Sequence, residues 1–209
     1  MTTAPGAYYY PNRMGRMMLE SMEEVVGHSG LNAVLARAGL GDLVGNFPPA
    51  NAEREFSFET ISALQSTLEE IYGPRGGGGL ALRSGRVCFK YGLRGFGLEM
   101  GLTDTAFRLL PWTAKLKMGG QALAALFNDQ TDQRVRIEET EQAWLWVIER
   151  CPLCWGRHTD APVCHLAVGL LQESLYWLSG GKIFEIQETQ CVAHGDPACV
   201  IEIARTPLD

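Results

Sequence analysis

The sequence predicts an α+β fold in which a helical N-terminal half packs on a four-stranded antiparallel sheet. Three observations carry that expectation. Apolar residues recur at helical spacing, with caps and glycine stops, from Asn12 to about residue 131. At Asp132 the period drops to two, and Val135 and Ile137 alternate with Arg134, Arg136 and Glu138. After one further apolar helix, two more strand-like runs close the chain, so the C-terminal half (132–205) reads β-β-α-β-β. The 209 residues, 46% of them hydrophobic, suit a single domain with a sizeable core, placed here at 12–205.

Residues 1–11, rich in Tyr, Pro and Gly, read as a flexible arm. From Asn12, a plausible N-cap, to Val26 the apolar positions are Met14, Met17, Met18, Met22 and Val25. A methionine stripe is ordinarily adaptable core, and its flexibility also suits a cavity wall that yields to a bulky ligand. A second short helix, Leu31 to Ala38, stops at Gly39. After a loop containing Pro48-Pro49, Ser57 caps a third helix, with Phe56 and Ile61 spaced as a hydrophobic staple. That helix runs to Tyr72 and ends at Gly73-Pro74. The glycine run Gly76–Gly79 lacks the Gly-Lys-Ser/Thr of a phosphate loop and reads as a flexible hinge. Residues 80–101 mix large apolar side chains with glycines, a composition that lets a helix approach a neighbour or a flat ligand closely.

A further helix begins at Thr103 or Asp104. Pro111 implies a late start or a kink, and Gly119-Gly120 a second bend. Past the strand at 132, Glu139–Glu141 turns the chain, and Ala143–Ile148, apolar on both faces, reads as a covered strand.

Charge and composition exclude several function classes. The formal net charge is −6, and no dense Lys/Arg cluster occurs, which argues against nucleic acid as a partner. The N-terminus lacks a charged segment followed by an apolar one, and no run of about 18 apolar residues occurs to span a bilayer. The six cysteines are therefore expected as thiols or metal ligands in a reducing cytoplasm.

Four residues near the C-terminus could meet at one corner. Cys164 opens the last helix, Glu188 and Cys191 close the following strand, and Cys199 follows a His-Gly-Asp-Pro turn. Thiolates are soft ligands, and a carboxylate can complete a tetrahedron around zinc. On spacing alone, metal ligands and small buried hydrophobes are equally good readings of these cysteines. Glu188 and Cys191 would face opposite sides of an ideal strand, so the strand must bend or end between them. Cys151-x-x-Cys154 has redox or zinc spacing, but with only His158 to spare it reads as a loop bearing two thiols. A competing arrangement puts Cys154 in the place of Cys164.

Pro162-Val-Cys164, Glu188-Thr-Gln-Cys191 and Gly195-Asp-Pro-Ala-Cys199 together resemble the 4-vinyl-reductase-type domain. That is a small-molecule-binding family found in bacteriochlorophyll-biosynthesis proteins and phenol-sensing activators. The resemblance implies a structural Zn2+ on Cys164, Glu188, Cys191 and Cys199. It also implies the fold of ligand-binding domains in nitric-oxide signalling and Golgi transport, and a homodimer formed through the N-terminal part.

For function it implies a tetrapyrrole-binding carrier or accessory protein that hands a magnesium-porphyrin or chlorophyllide intermediate between bacteriochlorophyll-pathway enzymes. Aromatic walls at Phe96, Phe107, Trp112, Trp144, Trp146 and Tyr176 would stack on the macrocycle, and His165 could coordinate its magnesium. Each of these also reads as ordinary core or surface. The alternatives are a 4-vinyl reductase using an external reductant, and a sensor of small aromatic or hydrocarbon ligands. No hydrolase elbow, Walker motif or nicotinamide fingerprint occurs, no catalytic residue is assigned, and the reading leans away from an enzyme.

Overall fold

The computed structural model describes residues 7–208. The described chain opens on a short strand, β1 (Tyr9–Pro11), which pairs antiparallel with β2 (Arg54–Ser57), Tyr10 opposite Phe56. This corrects the flexible arm as far as Tyr9–Pro11 is concerned; residues 1–6 of that arm lie outside the described residues. The reason is long-range polar tethering. The Asp132 carboxylate accepts the Tyr9 N–H at 2.8 Å, and the Asp132 N–H donates back to the Tyr9 carbonyl at 3.1 Å. The Arg150 guanidinium lies 3.9 Å from the centre of the Tyr8 ring.

The two expected N-terminal helices form one run, α1 (Asn12–Arg37), bent at Gly27. Pro11 occupies the cap position; the Asn12 side chain donates instead to Asn51 at 3.1 Å and to Glu55 at 2.7 Å. Met14, Met18, Leu19 and Met22 are buried along one face.

Ser57 caps α2 (Phe58–Phe96), its hydroxyl accepting the Thr60 N–H at 3.1 Å. Ser57→Ala is expected to lower stability by about 1 kcal/mol, read as a shift in the urea midpoint. Gly73, at φ 76°, breaks the helix where expected, and Pro74 restarts it at a position that needs no N–H donor.

The glycine run that follows is not a hinge. Gly76–Gly79 is helical, and Gly77, Ala81 and Gly85 are buried at four-residue spacing. This small-residue face receives α5 (His165–Ser179) at backbone contact. A Cβ on Gly85 would stand 2.0 Å from the Leu166 carbonyl oxygen, and one on Gly169 1.9 Å from that of Leu82. The close approach of α5 offsets the poor helix propensity of these glycines.

A short helix, α3 (Thr105–Arg108), precedes Pro111, and α4 (Trp112–Gln130) starts directly after it, the late start that the proline implied. The helix runs unbroken through Gly119-Gly120, where Leu178 of α5 packs against Gly119.

The sheet consists of β3 (Arg134–Glu139), β4 (Ala143–Arg150), β5 (Ile186–Gln190) and β6 (Cys199–Ala204). It is antiparallel throughout, in the order β3-β4-β6-β5. The β-β-α-β-β reading therefore holds. Opposed residues share a face, which sets Trp146, Ile201 and Glu188 in one row and Ile148 beside Cys199 in the next. α4 lies against β3, and α5 lies against α2, α4 and β5. Among the described residues no helix is long and apolar enough to cross a membrane.

Candidate metal centre and ligand cavity

The parity problem between Glu188 and Cys191 is solved by a bulge. The β5–β6 register shifts between Glu188, opposite Ile201, and Gln190, opposite Val200. One extra residue inverts which side chains face inward. Cys191 then leaves the strand, its N–H donating to the Asp196 carboxylate at 2.8 Å. Val192–His194 form a single tight turn, and Gly195, at φ 106°, redirects the chain into Cys199. Asp196 and Gly195 thus aim Cys191 and Cys199 at the start of α5, where Cys164 stands.

Ligating atoms of Cys164, Glu188, Cys191 and Cys199 all lie within 4.8 Å of one another. The three sulfurs are 3.9 Å (Cys164–Cys191), 3.7 Å (Cys164–Cys199) and 3.9 Å (Cys191–Cys199) apart. A tetrahedral Zn–S bond of about 2.3 Å gives ligand–ligand edges of about 3.8 Å. One Glu188 oxygen accepts the Cys164 N–H at 2.7 Å, while the other, Oε1, is buried without a partner. An orphan carboxylate oxygen beside three converging sulfurs fits a divalent cation in both charge and geometry.

The electrostatics agree. Burial, and then the neighbouring Cys191, push the Glu188 carboxyl up to about 8. Cys154 is driven far below the ordinary thiol range, chiefly through its contact with Cys151. Against an upward push from Cys154, donation from the Cys164 and Cys199 thiols lowers Cys191 to about 6. Cys164 and Cys199 are pushed up, with contacts to Cys151 and then Cys154 the leading cause. Cys151 also rises, chiefly through Cys154. Crowded thiols cannot all ionise together unless a cation balances them.

The sequence reading missed the part played by Cys151 and Cys154. Both are buried within the same cluster rather than standing as a separate loop. Cys151 Sγ is 3.5 Å from Cys164 Sγ, and Cys154 Sγ is 3.4 Å from Cys199 Sγ. Trp155 Nε1 donates to Glu59 at 3.0 Å, and Arg157 pairs with Glu69 at 2.6 Å, fastening this loop to α2. The C-x-x-C spacing was the available signal. It was discounted by treating ligand sets as separate, whereas the fold superimposes them.

Beside this corner, between the helices and β4, lies an apolar cavity of about 90 Å³. Met14, Met17, Phe89, Phe96, Trp146 and Leu171 form much of its wall. Its polar feature is the Tyr10 hydroxyl donating to Gln133 Oε1, both residues buried. Burial first, and then nearby Cys151, raise Tyr10 well above the usual phenol range, so the hydroxyl stays neutral. Burial likewise pushes the Cys88 thiol in the same wall up to about 11. A second cavity of about 60 Å³ adjoins the first across Phe89, Leu123, Trp146 and Leu171. Cys151 lines the larger cavity and also belongs to the thiol cluster.

The expected ligand-contacting residues scatter. Phe96 and Trp146 line the larger cavity, and Trp144 joins Trp146 in the smaller. Phe107 is buried core outside both cavities, and Trp112 packs on Phe184. Tyr176 is 50% exposed. His165 abuts Gly78 and lines neither cavity; burial lowers its pKa. Their aromatic character was legible from sequence, but which face each presented was not. The methionines of α1 are the better half of the cavity signal.

Residues 144–205, from β4 through β6 and including all six clustered donors, match the family model of the 4-vinyl-reductase domain. This stretch is a 4-vinyl-reductase-type domain. No curated protein sequence matches the chain. Among solved structures, an H-NOX protein from S. oneidensis in its Fe(II)NO state superposes with a TM-score of 0.56 at 11% identity. That match covers 91% of this chain and 99% of the other. An H-NOX protein from T. tengcongensis gives 0.56 at 11% identity, over 95% and 100% of the two chains. The phenol-responsive sensory domain of the transcription activator PoxR, solved with phenol, gives 0.50 at 22% identity, over 73% and 77%. At these identities the likeness is one of fold, the ligand-binding fold of the nitric-oxide-signalling type.

Proposed function

We propose that this chain, through its 4-vinyl-reductase-type domain and the helices above it, binds a small apolar molecule, aromatic or hydrocarbon, in the cavity between helices and sheet. A structural zinc on Cys164, Glu188, Cys191 and Cys199 braces one wall. The observation that carries the reading is an apolar cavity, about 90 Å³, whose polar corner is the buried Tyr10–Gln133 pair. Cavities of roughly 150 Å³ lined by aliphatic and aromatic side chains take up benzene, whereas drug-sized ligands need roughly 300 Å³ or more. A single ring, with a hydroxyl offered to Tyr10 and Gln133, matches this scale. PoxR, of similar fold, was solved with phenol. A tetrapyrrole, and with it a carrier role between bacteriochlorophyll-pathway enzymes, would require α1 and α2 to part widely from the sheet. We therefore advance the small-ligand reading over the carrier and over a reductase. Because Cys151 belongs both to the cavity wall and to the thiol cluster, an occupant of the cavity would press directly on the metal corner.

Titration with phenol and with toluene, followed by calorimetry and by Trp146 fluorescence, tests the reading. Saturable one-to-one binding of either compound is expected. Ala167→Phe, which pushes a ring into the cavity from α5, should weaken it at least tenfold. No heat and no spectral change with either compound, alongside a sharpened Soret band on adding a magnesium porphyrin, would hand the function to the tetrapyrrole carrier.

The zinc reading makes a separate prediction. A metal that binds Glu188 must displace its proton at any pH below about 8. Metal affinity should therefore climb as pH rises from 6 to 8. In Glu188→Gln, with no such proton to release, the plot of log affinity against pH should be shallower by about one proton. Chelator competition at several pH values measures both slopes, and equal slopes would remove Glu188 from the ligand set.

A further inference from the structure

One metal ion cannot use all the donors gathered at this corner. The six donors form two tetrads, Cys151–Cys154–Cys164–Cys199 and Cys164–Glu188–Cys191–Cys199, each with ligating atoms within 4.8 Å of one another. The tetrads share one edge, the Cys164–Cys199 pair, 3.7 Å long. A single tetrahedral ion in the second tetrad leaves Cys151 and Cys154, only 2% and 1% exposed, as bare thiols at 3.5 and 3.4 Å from metal-bound sulfurs. A single ion in the first tetrad leaves Glu188 Oε1 buried without a partner. Either choice strands buried polar groups at contact distance from ionised ones.

We propose that the corner holds two divalent metal ions, with the Cys164 and Cys199 thiolates bridging them. Cys151 and Cys154 complete the coordination of one ion, Glu188 and Cys191 that of the other. Thiolate sulfur has lone pairs enough to bind two borderline-soft cations, and zinc is the first candidate for both positions. Five thiolates and a carboxylate balance two dications to a residual charge of −2. Both bridging residues sit where the backbone favours negative charge. Cys164 stands at the N-terminus of α5, and Cys199 Sγ accepts the Val192 N–H at 3.3 Å. The second ion would also fasten the 151–164 loop, and through Cys151 a wall of the ligand cavity, to the last strand.

The proposal goes beyond the single-zinc reading but shares two of its ligands, so the test separates the two. The full chain is purified under reducing conditions and its metals are counted by elemental analysis. Two divalent ions per chain are expected, falling to one in Cys151→Ser and in Cys154→Ser and staying at two in Cys88→Ser. In cobalt titrations, the paramagnetic signal should grow up to one equivalent and shrink toward the second, as thiolate bridges couple the two spins. Zero metal would sink both readings. One ion per chain in the unaltered protein, two ions without spin coupling, or iron accompanied by acid-labile sulfide would each overturn the bridged pair while leaving a metal corner standing. Should either serine variant fail to fold by circular dichroism, the count and the coupling in the unaltered chain decide alone.

Discussion

Gly169→Ala should lower stability by about 3 kcal/mol or more, and Gly85→Ala by a similar amount. Each added methyl would sit about 2 Å from a backbone carbonyl of the facing helix: 1.9 Å from Leu82 O for Gly169 and 2.0 Å from Leu166 O for Gly85. Contacts of that kind are not relieved by turning a side chain. α2 and α5 would have to separate, losing dispersion contacts along the whole interface and shifting the start of α5 against the sheet. An internal control has the opposite sign. Gly79 lies in the same helix with nothing within 4 Å of an added Cβ. Gly79→Ala should therefore stabilise by up to about 1 kcal/mol through helix propensity alone. Urea denaturation of the three variants checks the argument; if all three shift in one direction, the α2–α5 contact is not the close approach described. Because Cys164 lies immediately before α5, Gly169→Ala should also weaken metal binding, whereas Gly79→Ala should not.

That glycine face shows where sequence reasoning succeeded and where it stopped. The period change at Asp132, the Ser57 cap and the break at Gly73 are local signals, and each corresponds to a local interaction. Gly76–Gly79 is different. Its local propensity argues against a helix, and only the partner across the interface, with Gly169 opposing Leu82, makes a helix there worthwhile. No window of the α2 sequence contains that information. Likewise Tyr9–Pro11 lacks strand character of its own and is ordered by Arg54–Ser57 and Asp132, far along the chain. At the metal corner, identities and order were legible in Cys164, Glu188, Cys191 and Cys199. What could not be read was the bulge at Glu188–Gln190, or that Cys151 and Cys154 fold back onto the same point. The cavity was half legible. Methionines at helical spacing in α1 signalled an adaptable wall, but the buried Tyr10–Gln133 pair joins residues separated by most of the chain.

Stripping the metal, or removing a shared ligand with Cys199→Ser, should produce the largest loss of all. A ligand bound only by the folded state contributes RT ln(1 + [M]/Kd), about 4 kcal/mol when free metal stands at 1,000 times Kd, and structural zinc sites commonly bind more tightly than that. The loss should be local before it is global. Cys164, Cys191 and Cys199 belong to the start of α5, the β5–β6 turn and the start of β6, and outside the metal little beyond the Glu188–Cys164 hydrogen bond joins Cys164 to that turn. Without the cation, Glu188 reverts to a protonated carboxyl, and the crowded thiols hold each other only through weak S–H contacts. Hydrogen exchange should then show the amides of 163–168 and 191–199 losing protection first. β3 and α4, packed on each other away from the corner, should keep theirs until global unfolding. Cys88→Ser, which alters a cavity-wall thiol outside the cluster, should keep both the metal and the protection pattern. A chelated protein that melts at the same temperature as the untreated one, with unchanged exchange at 191–199, would show that the corner is held by packing alone. In that case the convergence of five thiols and Glu188 would have no stabilising role, and the cavity wall at Cys151 would have to be fixed by Leu153 and Leu166 instead.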